Sequence, residues 1–590
     1  MRLTSTGRLR TGLVVAAALA IAVAVVASGT AKSGHVSAFV GQASKPKVPS
    51  RPNVVVIMSD DQTIEQQRVM QEINSRIGAK GAVFTNAINN FGLCCPSRAT
   101  FLTGQYSQND GVAGNNPPDG GYQGLDHSNT LPVWLQKRNY FTSNIGKYLN
   151  GYESTPQPAT VPPGWSDWET SIKTYRYYDY TLNINRQIVP YAHAASDYKT
   201  RVYDRRAVKL IKERAGKRKP LFMWLNYLAP HDGGPDNDTN LPGGGNCQES
   251  AKPDPKDAGK FADEALPMPP SFNEADVSDK PEWIRDEQLS QTEIANVARQ
   301  YRCRLESTLS EDRSAGHVLD ALRDTHQLKN TYVIYISDNG FMTGEHRVPS
   351  GKNNIYEEAI HVPMMIRGPG IQAGTKVRDL VSNADVAPTI TDLAGAKPGR
   401  SFDGRSVMPL IRHPNTERGR ELVVQARYGV ETPAKNVVAV RNNRFIYAEY
   451  ENGDKEMYDL VADPDELDNI ASDPAYADQR QALAGRLAKL LQCAGKSCRT
   501  TPHVRLTATG KRRHRCFKGT VRVGVRGGEA PKLTTVRFTL PGGQKRVDTE
   551  APFEIDSPSS RFRRGASVRA RADLIDGRQV ELSKPIKGCS

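Results

Sequence analysis

Two kinds of segment in this chain bring together residue types that can do chemistry. The first is Leu93-Cys94-Cys95-Pro96-Ser97-Arg98-Ala99-Thr100-Phe101-Leu102-Thr103-Gly104, with adjacent thiols beside a proline and an arginine. A vicinal Cys94–Cys95 bridge is disfavoured, because ordinary disulfide geometry needs better-separated backbones. Pro96 suits the first turn of a helix, where a missing N–H costs nothing. Cys94 then stands just before a helix N-terminus, where free N–H groups and the macrodipole favour an anion. Arg98, one turn on, can bring a planar cation to the same place. The second kind is acidic. Asp60-Asp61 closes the apolar run Val54–Met58, and Asp338-Asn339-Gly340 closes Thr331–Ser337. Apolar, β-branched runs of this length read as central parallel strands, and ligand sites of open α/β sheets lie beyond the carboxyl ends of such strands. Alone, the first acidic pair reads equally well as a helix cap. With the second pair, the donors are all oxygens, the preference of Ca²⁺ or Mg²⁺ rather than Zn²⁺.

Further candidates lie between and after these strands. Pro220–Leu228 is a third buried-strand run, ending at Ala229-Pro230-His231. A histidine at a strand end titrates near neutrality and can act as acid or base. Lys147 stands in Gly146-Lys147-Tyr148-Leu149-Asn150-Gly151, and Lys352 follows Gly344-Glu345-His346-Arg347. A lone lysine is ordinarily solvated surface and a loop histidine ordinarily a hydrogen-bonded one, so these residues need a wider pattern to give them a role.

That pattern exists. Cys94-x-Pro96-Ser97-Arg98-x-x-x-Leu102-Thr103-Gly104 resembles the full signature of the type I sulfatases, nearest to the N-acetylglucosamine-6-sulfatase and arylsulfatase branch. The resemblance extends over roughly residues 50–492. It implies that Cys94 is oxidised by a formylglycine-generating enzyme to Cα-formylglycine, whose hydrate is the nucleophile. It further implies metal ligation by Asp60, Asp61, Cys94, Asp338 and Asn339, with Ca²⁺ or Mg²⁺ as the ion. By the same analogy Arg98, Lys147 and Lys352 offset charge on the sulfuryl group. His231 or Lys352 protonates the leaving oxygen, and Asp338 serves as general base. Many members carry a histidine two residues after the first lysine. Here that position is Leu149, and His346 is a candidate substitute. The substrate class implied is a small-molecule or saccharide sulfate ester. Related folds with the same nucleophile hydrolyse phosphate or phosphonate esters, which stands as the alternative, and a non-catalytic polyanion-binding protein is the third reading.

The expected fold is α/β, an alkaline-phosphatase-like sandwich with a large, mostly parallel sheet flanked by helices. At 590 residues the chain can bury a sizeable core and should form two or three domains. Residues 1–31 read as a signal peptide: Arg2, Arg8 and Arg10 precede the apolar run Leu13–Ala27, which is short for a membrane span and is followed by small residues. Residues 32–49 read as a flexible leader, and the mature protein is expected to be secreted or at the cell surface. Residues 50–420 form the catalytic domain, with a Gly-, Pro- and Asp-rich insertion at about 232–290, a helical region with Leu305, Leu309, Val318, Leu319 and Leu322 inward, and a strand starting near Val362. Residues 421–499 read as a small antiparallel subdomain.

Residues 500–590 lie outside the resemblance and read as a basic β-sandwich-like module. Thr520–Val525, Thr534–Leu540, Ser567–Leu574 and Gln579–Leu582 alternate apolar and polar residues, with turn signals at Pro541-Gly542-Gly543 and Asp576-Gly577. From Thr501 to Ser590 there are 20 Lys plus Arg against 8 Asp plus Glu, a local +12 out of a formal net +15. The basic character therefore belongs to the tail, where Lys511-Arg512-Arg513-His514-Arg515 and Arg561-Phe562-Arg563-Arg564 suit a polyanion or an anionic cell surface. No specific nucleic-acid motif accompanies them. Eight cysteines in an exported chain suggest disulfides. The simplest pairing is Cys493–Cys498, Cys516–Cys589 and Cys247–Cys303, which leaves Cys94 and Cys95 over.

Overall fold

The structure is a computed structural model. It describes residues 51–154, 159–172, 175–233, 247–562 and 565–589. The export signal and leader expected at 1–49, part of the insertion, and Arg563-Arg564 of the second basic cluster lie outside the described residues.

Four parallel strands make the centre of the fold: β1 (Asn53–Ser59), β2 (Phe141–Gly146), β3 (Leu221–Asn226) and β4 (Thr331–Ser337). They lie in the order β4-β1-β3-β2 within a ten-stranded mixed sheet. β2 continues parallel to Asp167–Ser171 and antiparallel pairings follow on both flanks, with the edge strand Thr375–Val377 on the β4 side pairing parallel to its neighbour Ala82–Phe84. The run starting near Val362 forms Met364–Arg367, which pairs antiparallel to β4. Both faces of the sheet are covered. Val54, Val56 and Met58 of β1 point into one apolar core, while Val55 and Ile57 point into the other. Alternate side chains of a strand face opposite ways, so only a strand buried on both sides can be apolar throughout.

Helix α1 (Cys94–Thr103) packs on the first face through Cys95, Ala99, Phe101 and Leu102. Helix α2 (Gln291–Asp324) packs on the second. Leu305, Val318, Leu319 and Leu322 of α2 are buried as expected, while Leu309 is half-buried. α2 begins well before the expected helical region, at a capping box in which Ser290 Oγ accepts from the Glu293 N–H and Glu293 accepts from the Ser290 N–H.

Register puts the strand ends in line. Ser59 of β1 is opposite Ser337 of β4, so Asp60 and Asp338 leave the sheet side by side. Met58 is opposite Asn226, and Asn226 is opposite Gly146, so Asn226 and Lys147 emerge at the same level.

After the large sheet, Leu422–Ala426, Val437–Arg441, Phe445–Tyr450 and Lys455–Asp459 form a four-stranded antiparallel sheet. Helix Ala477–Leu491 packs on it through Leu483, Leu487 and Leu490. Beyond Thr501, seven strands form a three-stranded and a four-stranded antiparallel sheet around one core, which includes Val521, Val523, Phe538, Val568 and Ala572. Arg505–Arg513, Lys545–Asp548 and Glu554–Pro558 are strands here that the alternation pattern did not mark. They are outer strands of their sheets and mostly exposed, so little apolar side chain is needed. This segment docks through a buried charge cluster. Arg578 is 1% exposed and contacts Asp576 at 2.7 Å, Glu529 at 2.6 Å and Glu421 at 3.4 Å. The three disulfides are Cys247–Cys303, Cys493–Cys498 and Cys516–Cys589, and Cys94 and Cys95 are free and buried. Among the described residues no helix is long and apolar enough to cross a membrane.

Candidate active site

Leu93 is extended and Cys94 is the first residue of α1, so Pro96 falls in the first turn, where backbone N–H groups have no intrahelical acceptor. Gly104 ends the helix at φ 68°, a left-handed turn that favours glycine. The helix start faces the line of strand ends. Cys94 Sγ lies 3.4 Å from Asp60 Oδ1, 3.9 Å from Asp61 Oδ1 and 2.9 Å from Lys352 Nζ. One ligand atom each from Asp60, Asp61, Cys94 and His231 lies within 4.8 Å of the other three.

Cations interleave these carboxylates. Arg98 Nε donates to Asp338 Oδ2 at 2.7 Å, its Nη1 donates to Asn226 Oδ1 at 3.2 Å, and its Nη2 lies 3.6 Å from Asp60 Oδ2. Lys147 Nζ pairs with Asp60 Oδ2 and Lys352 Nζ with Asp61 Oδ1. His231 Nε2 is 3.7 Å from Asp61 Oδ2. Arg98, Asp60 and Asp338 are fully buried, and Lys352 keeps slight exposure. In so poor a dielectric, charges are tolerated only in opposition. Burial raises the Asp60 and Asp61 carboxyls, but Lys147, Lys352, His231 and Arg98 outweigh it for Asp60, and Lys352 and His231 lead for Asp61. Both end below the usual carboxylate range. At Asp338 burial and the neighbouring Asp60 win over Arg98, and its pKa rises. Burial, then Asp60, pushes the Cys94 thiol up, and burial takes Cys95 to about 12. A neutral thiol among carboxylates is a poor nucleophile, so unmodified cysteine chemistry does not suit this place.

The donors fit a hard divalent cation. Asn339 Nδ2 donates to Asp61 Oδ1 at 2.7 Å, which leaves Asn339 Oδ1 buried without a hydrogen-bond partner among the described residues. Asp338 keeps its oxygens on Arg98 and on the Asp61 N–H, at 3.1 Å, so the tight cluster contains His231 where the sequence pointed to Asp338. Asp61 itself has φ 68° and is braced from α2, where Arg304 donates to the carbonyls of Asp61 and Pro230.

One expected residue belongs elsewhere. His346 does not substitute for the histidine missing at Leu149. Its Nδ1 is 2.6 Å from Glu274 Oε2 and its ring stacks on Tyr356, so packing commits it to another cluster. Leu149 is buried in the core. The wall near it is Tyr175, whose ring lies 5.0 Å from Lys147 Nζ and 4.7 Å from the His231 ring. Neither Tyr175 nor Arg304 carries a local sequence signal, since each reaches the site only by tertiary approach.

Comparison with known proteins identifies the family. The family model described as Sulfatase matches residues 52–396, and one described as N-sulphoglucosamine sulphohydrolase, C-terminal, matches 344–493. The chain is 31% identical over 497 residues to N-acetylglucosamine-6-sulfatase of Homo sapiens, covering 76% of this chain and 86% of that protein. It is 32% identical over 373 residues to a putative extracellular sulfatase Sulf-1 homolog of Caenorhabditis elegans, covering 62% of this chain and half of that longer protein. A structure solved with its substrate D-glucosamine-2-N,6-O-disulfate superposes with a TM-score of 0.60 at 23% identity, over 76% of this chain and 98% of the other. The phosphonate monoester hydrolase of Agrobacterium radiobacter superposes at 0.59 and 20% identity, over 75% and 95%, which speaks for the shared alkaline-phosphatase-like fold alone. With a family match over more than half its length and the signature cysteine buried among carboxylates and cations at the strand ends, the chain belongs to the sulfatase family and is a sulfuric ester hydrolase.

Proposed function

We propose that this protein is an exported sulfatase that removes sulfate from a sulfated saccharide, through a formylglycine made from Cys94 and a divalent metal held at the ends of β1 and β4. The observation that carries this reading is the convergence of Cys94 with Asp60, Asp61 and Lys352. A thiol with a raised pKa has no evident use there, whereas a residue converted to an aldehyde hydrate supplies an oxygen nucleophile. Asp60, Asp61 and Asn339 would hold the ion, with position 94 and either Asp338 or His231 completing the set. The ion supplies charge stabilisation at the reacting oxygens.

The chain's own residues set the rest. Three carboxylates (Asp60, Asp61, Asp338) face three cations (Arg98, Lys147, Lys352), so a bound divalent ion leaves the centre net positive and receptive to an anionic ester. Arg98 is fixed by Asp338 and Asn226, and can present its remaining N–H groups to sulfuryl oxygens without reorganising. Lys147 and Lys352 neutralise charge on the same group. His231, packed against Tyr175, would give a proton to the leaving oxygen, and Asp338 would accept one near position 94. Export is supported by the apolar run at the N-terminus and by three disulfides. The printed names of the relatives point to sulfated amino sugars as the saccharide class.

Mass analysis of the peptide containing position 94, from active protein, tests the nucleophile: aldehyde or hydrate is expected, and unmodified thiol overturns it. A turnover panel of glucosamine-6-sulfate, aryl sulfate and aryl phosphonate tests the substrate. Preference for the phosphonate would favour the phosphonate-hydrolase reading of the same site.

A further inference from the structure

We propose that His346, Glu358 and Glu466 form a second divalent-metal site, separate from the active-site centre and suited to a Zn²⁺-type ion. One ligand atom from each of the three lies within 4.8 Å of the other two. His346 Nε2, Glu358 Oε2 and Glu466 Oε1 are all buried and take no hydrogen bond from the described residues. A buried polar atom without a partner is uncommon, and three on residues so close together mark a place for a ligand that accepts lone pairs. His346 is fully buried, and its orientation is already set. Nδ1 lies 2.6 Å from Glu274 Oε2, which fixes the tautomer that leaves Nε2 with its lone pair, as carboxylate partners do for metal-bound histidines. Glu274 is itself held by Lys280 at 3.2 Å, and Tyr356 stacks on the imidazole at 4.3 Å.

Charge points the same way. Burial, then Glu345, lifts the Glu358 carboxyl to about 7, and burial with Glu357 and Glu358 lifts Glu466. These acids crowd one another, and a cation between them would relieve both the burial and the repulsion. One imidazole with two carboxylates is a donor set for a borderline ion such as Zn²⁺, with water completing a tetrahedron. Glu358 also lines a surface cavity of about 480 Å³ together with Glu345 and Asp465, an acidic route for an entering ion. Its place in the chain suggests a structural part. His346 and Glu358 bracket Lys352, and Glu466 comes from the antiparallel segment, so the ion would tie the Lys352 loop to that segment.

The test uses the full chain, stripped with EDTA, loaded with excess Ca²⁺ and Mg²⁺ to occupy the active-site centre, and then given Zn²⁺. Bound zinc per chain is measured by elemental mass spectrometry. About one equivalent is expected in the natural protein and in Asp61→Asn, together with a zinc-dependent rise in melting temperature. In His346→Gln and Glu466→Gln the zinc content should fall by about tenfold or more and the thermal shift should vanish. Glu358→Gln keeps size and shape and serves if the histidine variant does not fold. No zinc in the natural protein, or natural content in the glutamine variants, overturns the proposal. Loss of the zinc in Asp61→Asn alone assigns it to the active-site centre and overturns it equally.

Discussion

Arg98 and Arg522 are the same residue type put to opposite uses. Arg98 has no exposed surface and is wedged between Asp338 and Asp60 at the strand ends. Arg522 is 56% exposed and pairs with Asp556 at 2.8 Å on the outside of the C-terminal sheets. The first works in a poor dielectric, where charge is directional and strong; the second is screened by water and salt. Formal charge alone would direct attention to the wrong region. The tail after Thr501 holds +12 of the net +15, while the active-site centre is nearly balanced. Convergence under burial, rather than charge, separates the reacting site from the surface. Arg578 is the instructive exception within the tail. It is buried against Glu421 and Asp576, so it acts as a structural anchor.

Perturbations should therefore have effects in the order of burial and contact with the reacting group. Cys94→Ser should lower turnover by a factor on the order of 10⁴ or more with melting temperature little changed, because it removes the modifiable residue and keeps its volume. Steady-state turnover and thermal unfolding of the same preparation check this, and near-natural activity would break the comparison at its root. Arg98→Lys loses the fork that spans Asp338 and Asn226, and turnover should drop by about 10²–10³.

Arg578→Ala should leave Asp576 buried without its cation and Glu421 with Arg486 alone, and cost about 3–5 kcal/mol by denaturant unfolding, with turnover kept while the protein is folded. For the same reason, excising residues 501–590 would expose this cluster and would not isolate an independent accessory part.

A smaller effect concerns His127, which is 3.1 Å from the Tyr148 hydroxyl beside Lys147. Burial lowers its pKa to about 4, so the folded state stays neutral while the unfolded chain takes up a proton below 6.5. Its share of stability is therefore present above pH 6.5 and is lost as pH falls toward 4, at no more than about 1.4 kcal/mol per pH unit. His127→Gln should flatten the fall in melting temperature across that window. The smallest change in turnover is expected for the triple reversal Lys511→Glu, Arg512→Glu, Arg513→Glu. All three residues are exposed, so activity on a soluble substrate should stay within about twofold while the salt needed to elute from a sulfated resin drops. Loss of turnover in that variant would contradict the division drawn between the two regions.

Much of the fold was legible because its signals are local. Val54–Met58 and Thr331–Ser337 are apolar on both faces, which only a doubly covered strand permits, and the Cys94–Gly104 signature is contiguous. The start of α2 was also available in Ser290-x-x-Glu293, a capping box that the irregular sequence before it obscured. The outer strands of the C-terminal sheets were not legible, because an exposed strand needs no apolar alternation. Tyr175, Arg304 and the commitment of His346 to Glu274 were invisible for a different reason: no local periodicity encodes which distant side chain a given group will meet.

The sequence by itself determined the inventory of this protein's chemistry: a cysteine in a full sulfatase signature, acids at two strand ends, two lysines and a histidine in recognisable surroundings. Only the tertiary structure decided the encounters. Register between β1 and β4 sets Asp60 beside Asp338, and packing of α1 on the sheet delivers Cys94 to them. It also drew His346 away toward Glu358 and Glu466. The reason is physical. Residue type and short-range pattern are properties of neighbouring positions, whereas proximity across the fold is fixed by hydrogen-bond register and close packing between segments far apart in the chain.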